Sequence, residues 1–174
     1  MLEIDPKSGT VLTPPRIAPI AFVFVIAACC FVSGRRETVA VAAQDQDLSE
    51  TRPLVALLRL GKDLEPLPMP DVRDADFRGY IGSIAFDARG DFVAAASPRG
   101  SIFGIWSASG RGAARCRSAD VCGVAAGVEP NTFWASSGHG GIYKIQAATI
   151  GSRIVAHWQS DAGFDQSSSP DLIA

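Results

Sequence analysis

Few residues in this chain have side chains that could do chemistry, and the first question is whether any of them converge. Ser136, Ser137 and His139 set two hydroxyls beside an imidazole. A nucleophilic site would also need an acid to orient that base, and the flanking residues supply none. Asp71, Asp74 and Asp76 form a D-x-x-D-x-D cluster whose oxygens suit calcium. Calcium asks for about six to eight oxygen ligands, so the cluster is expected to be a solvated acidic loop. Cys29, Cys30, Cys116 and Cys122 show no CxxC spacing, and His139 and His157 are the only imidazoles, which argues against structural zinc. Walker loops, GxSxG elbows and HExxH are absent from the sequence. The expectation is no catalytic residue, no metal and no cofactor.

Composition narrows the partners. The chain has 174 residues, of which 47% are hydrophobic, enough for one domain with a substantial core. Its formal net charge is -2, and three lysines and thirteen arginines are scattered along it. Nucleic-acid binding is therefore not expected. The cysteines do not fix a redox compartment.

The elements that must position these residues read as strands. Residues 1–18 contain Leu2 and Ile4, then Val11 and Leu12, around an Asp5-Pro6-Lys7-Ser8-Gly9 turn, the pattern of a leading hairpin. Residues 19–52 form a divergent block. The apolar run that leads into it, Ile17 to Ser33, admits three readings. It is short for a transmembrane helix and carries Pro19. As a signal peptide it would have a poor n-region, since Glu3 and Asp5 offset Lys7 and Arg16, although Ile26-Ala27-Ala28-Cys29 resembles a lipobox. As buried strands it fits the β-propensity of Phe22 to Ile26. Arg35 to Arg52, with Asp45, Asp47 and Glu50, reads as a polar surface loop.

From residue 53 to 159 short strands and tight turns alternate. Leu54 to Leu60 and Leu64 to Leu67 flank Gly61-Lys62-Asp63, and Pro66, Pro68 and Pro70 confine the second strand to a sheet edge. Asp71 to Gly79 is a connector that could hold a helical turn. Ile81 to Phe86, Phe92 to Ser97, Ile102 to Trp106 and Ala113 to Arg117 make a four-stranded meander. Val121 to Ala126, Thr132 to Ser136, Gly141 to Gln146 and Arg153 to Trp158 repeat it. Residues 160–174 read as a disordered tail.

The two meanders superpose at an offset of 40 residues, which sets Ile142 on Ile102, Ser137 on Ser97 and Gly140 on Gly100. Four strands per unit of about 40 to 45 residues is the period of a propeller blade. Gly9, Gly61, Gly110 and Gly151, at gaps of 52, 49 and 41, each follow a third strand and carry the register to the N-terminus. In that register the apolar run falls on a blade's innermost strands, which favours the buried-strand reading. The fold class is thus all-β: a partial propeller-like array of about three four-stranded antiparallel blades, part of a larger ring.

In such a blade the turn between strands two and three shares an end with the crossover to the next blade. That places Arg99, His139, Asp120 and Arg117 on one rim, with Asp74 and Asp76. These four residues are the candidate ligand site. Cys116 on an outermost strand and Cys122 on the next innermost one lie too far apart to pair, so both are expected to be free thiols, Cys122 packed in the core.

The stretches PLVALLRLGKDLEPL, GYIGSIAFDARGDFVAAASPRG, ADVCGVAAG and FWASSGHGGIYKI, in that order, resemble the C-terminal half of the bacterial domain of unknown function 1513 family. The resemblance runs from Pro53 to about Trp158 and rests most on GYIGSIAFDARG followed by ASPRG; LEIDPKSG is similar more weakly. It implies a WD40-type propeller fold, export to the periplasm and an association with iron uptake, with no established catalysis. The block from Ile20 to Thr51 departs from the family pattern, as does Trp158-Gln159-Ser160-Asp161, where the family tends to Trp-Asp-Asn-His. The expected function is a non-catalytic binding or scaffold protein that takes a protein partner or small ligand at the rim. Two alternatives stand beside it: an enzyme or metal-handling protein using Arg99 and His139, and a lipoprotein anchored to the membrane through Cys29.

Overall fold

The computed structural model describes residues 3–4, 11–12, 23–33, 36–46, 52–59, 61–69, 74–150 and 153–160, with the backbone alone for 3–37, 74–75 and 160. The strands in chain order are β1 (Glu3–Ile4), β2 (Val11–Leu12), β3 (Val23–Ser33), β4 (Arg36–Asp45), β5 (Val55–Arg59), β6 (Glu65–Pro66), β7 (Ser83–Phe86), β8 (Phe92–Ser97), β9 (Ile102–Ser107), β10 (Ala113–Arg117), β11 (Val121–Ala126), β12 (Thr132–Ser137), β13 (Ile142–Ile150) and β14 (Arg153–Ser160). One 3₁₀ turn, Asp74–Phe77, precedes β7.

β3 to β6, β7 to β10 and β11 to β14 each form a four-stranded antiparallel meander in sequence order, and β1 pairs with β2. The apolar run is thus a strand through Val23–Ser33, with Cys29 paired to Ala40. No helix among the described residues is long and apolar enough to cross a membrane. β6 lies at a sheet edge, where Pro66 needs no ladder donor. Asp71, Gly9, Gly151 and the tail from residue 161 lie outside the described residues.

The middle sheet shows why the blades need each other. All six residues of β8 are buried and alternate between two cores. Val93 and Ala95 face the first sheet with Leu57, Phe77 and Trp106. Phe92, Ala94 and Ala96 face the third with Phe103, Phe133 and Ile145. A strand covered on both faces loses the usual apolar-polar alternation, and its run of alanines lets the sheets approach closely. Gly104 serves the same approach, because a Cβ there would stand 2.5 Å from the Trp106 ring and 2.8 Å from the Met69 methyl. The first strands also sit side by side. Ser83 Oγ accepts the Val124 N–H at 3.0 Å, joining β7 to β11.

Two expectations are corrected. Arg35 to Arg52 is not a surface loop, since β4 occupies most of it with Ala40 and Ala42 fully buried. The acidic cluster obscured a Thr38-to-Ala43 stretch of strand-forming and small residues. Asp45 at its end is itself buried, with Arg52 at 2.6 Å neutralising its carboxylate. Second, Cys116 and not Cys122 is the core thiol, although both are free. Cys116 pairs across the ladder with Phe103 and shares its buried face. Cys122 sits at a bulge between Val121 and Gly123, which removes it from the inward alternation.

Candidate functional site

The rim is assembled from two crossovers and two hairpin turns, joined by hydrogen bonds that repeat with the blade. Ser97 Oγ donates to the Phe77 carbonyl at 2.9 Å and accepts the Gly100 N–H at 3.1 Å. Forty residues on, Ser137 Oγ donates to the Ala119 carbonyl at 2.8 Å and accepts the His139 N–H at 3.1 Å. In both blades a serine at the end of the second strand ties the incoming crossover to the next turn. Gly100 has no room for a side chain, because a Cβ would strike the Asp76 carbonyl and come within 3.0 Å of Phe77 Cα. The outgoing crossover closes on the same turn through Ser118 N–H to the Ser101 carbonyl, 3.0 Å.

This latch makes a prediction. Ser97→Ala strands the buried Gly100 N–H and leaves the Phe77 carbonyl with only its Tyr80 N–H donor, so it should cost about 1–3 kcal/mol, whereas Ser137→Ala, on the exposed turn, should cost about 1 kcal/mol or less. Urea titration of both variants measures the difference, and equal effects would contradict the shared but unequally buried latch.

The four candidate residues lie on this rim, but not as one cluster. Asp120 and the His139 turn meet directly, since the Gly138 N–H donates to the Asp120 carbonyl at 2.9 Å. Asp120 holds a left-handed φ of 50°, and its side chain lies against Gly138. Arg117 pairs with Ile102 at the far end of β10 and is exposed. The Arg99 guanidinium lies 4.8 Å from the centre of the Tyr80 ring. Asp76 faces inward along the rim to Arg115 at 3.0 Å. Of Asp74 the structure describes only the backbone, in the 3₁₀ turn.

Tyr80 and Arg78 also stand at this rim, although no motif in the sequence selects them. The signal for Tyr80 was present in the register: Tyr80 and Arg99 occupy the repeat positions of Asp120 and His139. One blade therefore presents an aromatic–guanidinium pair where the next presents a carboxylate beside an imidazole turn. Arg78 adds a second guanidinium on the incoming crossover, exposed and at φ 49°.

The thiols are poorly suited to chemistry. Burial pushes the Cys116 thiol far above its ordinary value near 9.0. Cys122 is also raised, first by burial and then by the hydrogen bond and charge of the Asp120 carboxylate, whose Oδ1 is 3.5 Å from the sulfur. A raised pKa leaves little of the reactive thiolate. Among the described residues no three His, Cys, Asp or Glu side chains stand close enough to hold a metal ion.

The Cys116 shift predicts an alkaline weakening of the fold. The unfolded thiol ionises near pH 9.0 while the folded one keeps its proton, so the unfolded state gains as pH rises. Stability should be unaffected by this group below that pH and fall above it by up to about 1.4 kcal/mol per pH unit. Denaturant midpoints at increasing pH measure the slope. Cys116→Ala should flatten it, and an unchanged slope would assign it elsewhere.

Three face-packed four-stranded meanders, with their first strands side by side and loops linked along one rim, make the described residues an open, propeller-like all-β array. The chain belongs to the family described as Protein of unknown function (DUF1513), which matches residues 32–167. That match takes in all of β4, so the family pattern reaches further toward the N-terminus than the resemblance beginning at Pro53. No curated protein matches the chain.

Proposed function

We propose that the chain is a non-catalytic binding or scaffold module that receives a protein partner or small ligand on the rim carrying Arg99, Arg117, Asp120 and His139. The observation that supports this reading is the hydrogen-bonded continuity of the rim. Ser97, Ser118, Ser137 and Gly138 brace its loops from behind, while Arg99, Arg117 and His139 remain exposed in front. Loops held on a rigid sheet scaffold are the usual seat of recognition. The family resemblance adds a periplasmic setting linked to iron uptake.

The test is affinity capture from a periplasmic extract with the chain and with an Arg99→Ala/His139→Ala variant of equal unfolding midpoint. A partner or ligand retained by the first and lost by the second is the expected result. No retained species, or equal retention by both, overturns the rim reading.

A further inference from the structure

We infer that the rim around Pro98–Ser101 docks an acidic segment of a protein partner, gripped by Arg78, Arg99 and Arg117. The inference rests on the rim reading above and specifies its chemistry. Among the described residues four arginines belong to this edge of the middle blade: Arg78 on the incoming crossover, Arg99 in the turn, and Arg115 and Arg117 on β10. Asp76 neutralises Arg115 at 3.0 Å. Arg78, Arg99 and Arg117 are exposed and enter none of the ion pairs among the described residues. The remaining described carboxylate near by, Asp120, is turned to its own loop, with Oδ1 3.5 Å from Cys122 Sγ and Oδ2 against Gly138.

The backbone holds the three arginines around one turn. Phe77, next to Arg78, has its Cα 3.0 Å from where a Cβ of Gly100 would stand, and Arg99 precedes that glycine. Arg117 pairs with Ile102, and the next residue, Ser118, bonds to Ser101. Arg115 and Arg117 share the side of β10 opposite Cys116, and Arg115 reaches Asp76 from that side. The Arg99 guanidinium sits over the Tyr80 ring and enters none of the ion pairs among the described residues, so its N–H fork can take a carboxylate.

Charge and shape together select the partner. Arg78, Arg99 and Arg117 are all exposed, and a small anion among them would lack the enclosure that small-ligand sites require. An extended acidic chain can engage several guanidiniums in succession. A nucleic acid carries its charge along its whole length and would meet a chain of net charge -2.

Fluorescence anisotropy with a short labelled poly-glutamate peptide tests the assignment. Saturable binding is expected, weakening with salt and falling about tenfold or more in Arg99→Glu and in Arg117→Glu. Arg111→Glu makes the same charge change on the turn between β9 and β10, at the opposite end of the blade, and should cost less than about twofold. No binding, an equal loss in Arg111→Glu, or tighter binding of oligothymidine or phosphatidylglycerol vesicles would each overturn the inference. If capture from the extract depends on the rim while the peptide fails to bind, the docking rim stands and its acidic partner falls.

Discussion

Phe103→Ala should lower the unfolding free energy by about 3–5 kcal/mol. Phe103 is fully buried on β9, where its ring meets Phe133 at 6.5 Å and Trp158 at 5.2 Å, both edge to face. Those two rings belong to the third sheet, so the side chain is the main aromatic contact between middle and third blades. Truncation removes its transfer energy, both ring contacts and the fill of the space between two rigid sheets that cannot collapse inward. The denaturant midpoint should fall accordingly, while Val128→Ala, 96% exposed, should leave it within about 0.5 kcal/mol. A Phe103→Ala loss below about 1 kcal/mol would show that the two blades do not pack through this ring.

Asp87→Ala should cost about 2–4 kcal/mol for a different reason. Asp87 is 2% exposed, and its carboxylate accepts three backbone N–H groups: Phe92 at 2.8 Å, Arg89 at 3.0 Å and Asn131 at 3.0 Å. The first two shape its own hairpin turn. The third comes from the next blade, where Asn131 holds a φ of 62°. One carboxylate thus fastens two blades at the end opposite the candidate rim, and alanine would leave all three donors without it. Hydrogen exchange should accelerate most at the Asn131 amide. Unchanged protection there, with stability retained, would refute the cross-blade role. Asp87→Asn keeps one acceptor oxygen and should fall between the two.

These two residues also show how far local sequence can be read. Phe103 stands in Ile102 to Trp106, a recognisable strand, and its burial follows from alternation once the strand is placed between two others. Asp87 looks like any hairpin aspartate, and its reach to Asn131, 44 residues away, cannot be read from neighbours along the chain. At the rim the division is the same. The placement of Arg99, Arg117, Asp120 and His139 on one end follows from strand direction alone. That Tyr80 lies beneath Arg99, or that Asp76 is spent on Arg115, depends on how a crossover folds back over a turn.

The forty-residue register, the edge strand at Pro66 and the 3₁₀ turn before β7 were determined by the sequence itself, because turn chemistry and two-residue periodicity act between near neighbours. Tertiary structure alone decided that β4 would be buried beneath its acidic end, that Cys116 rather than Cys122 would enter the core, and which arginines would remain unpaired. Each of those outcomes depends on what a neighbouring sheet or crossover places against the residue. A β-bulge or a 3 Å contact with another blade reverses a side chain's fate without altering the local pattern that the sequence displays.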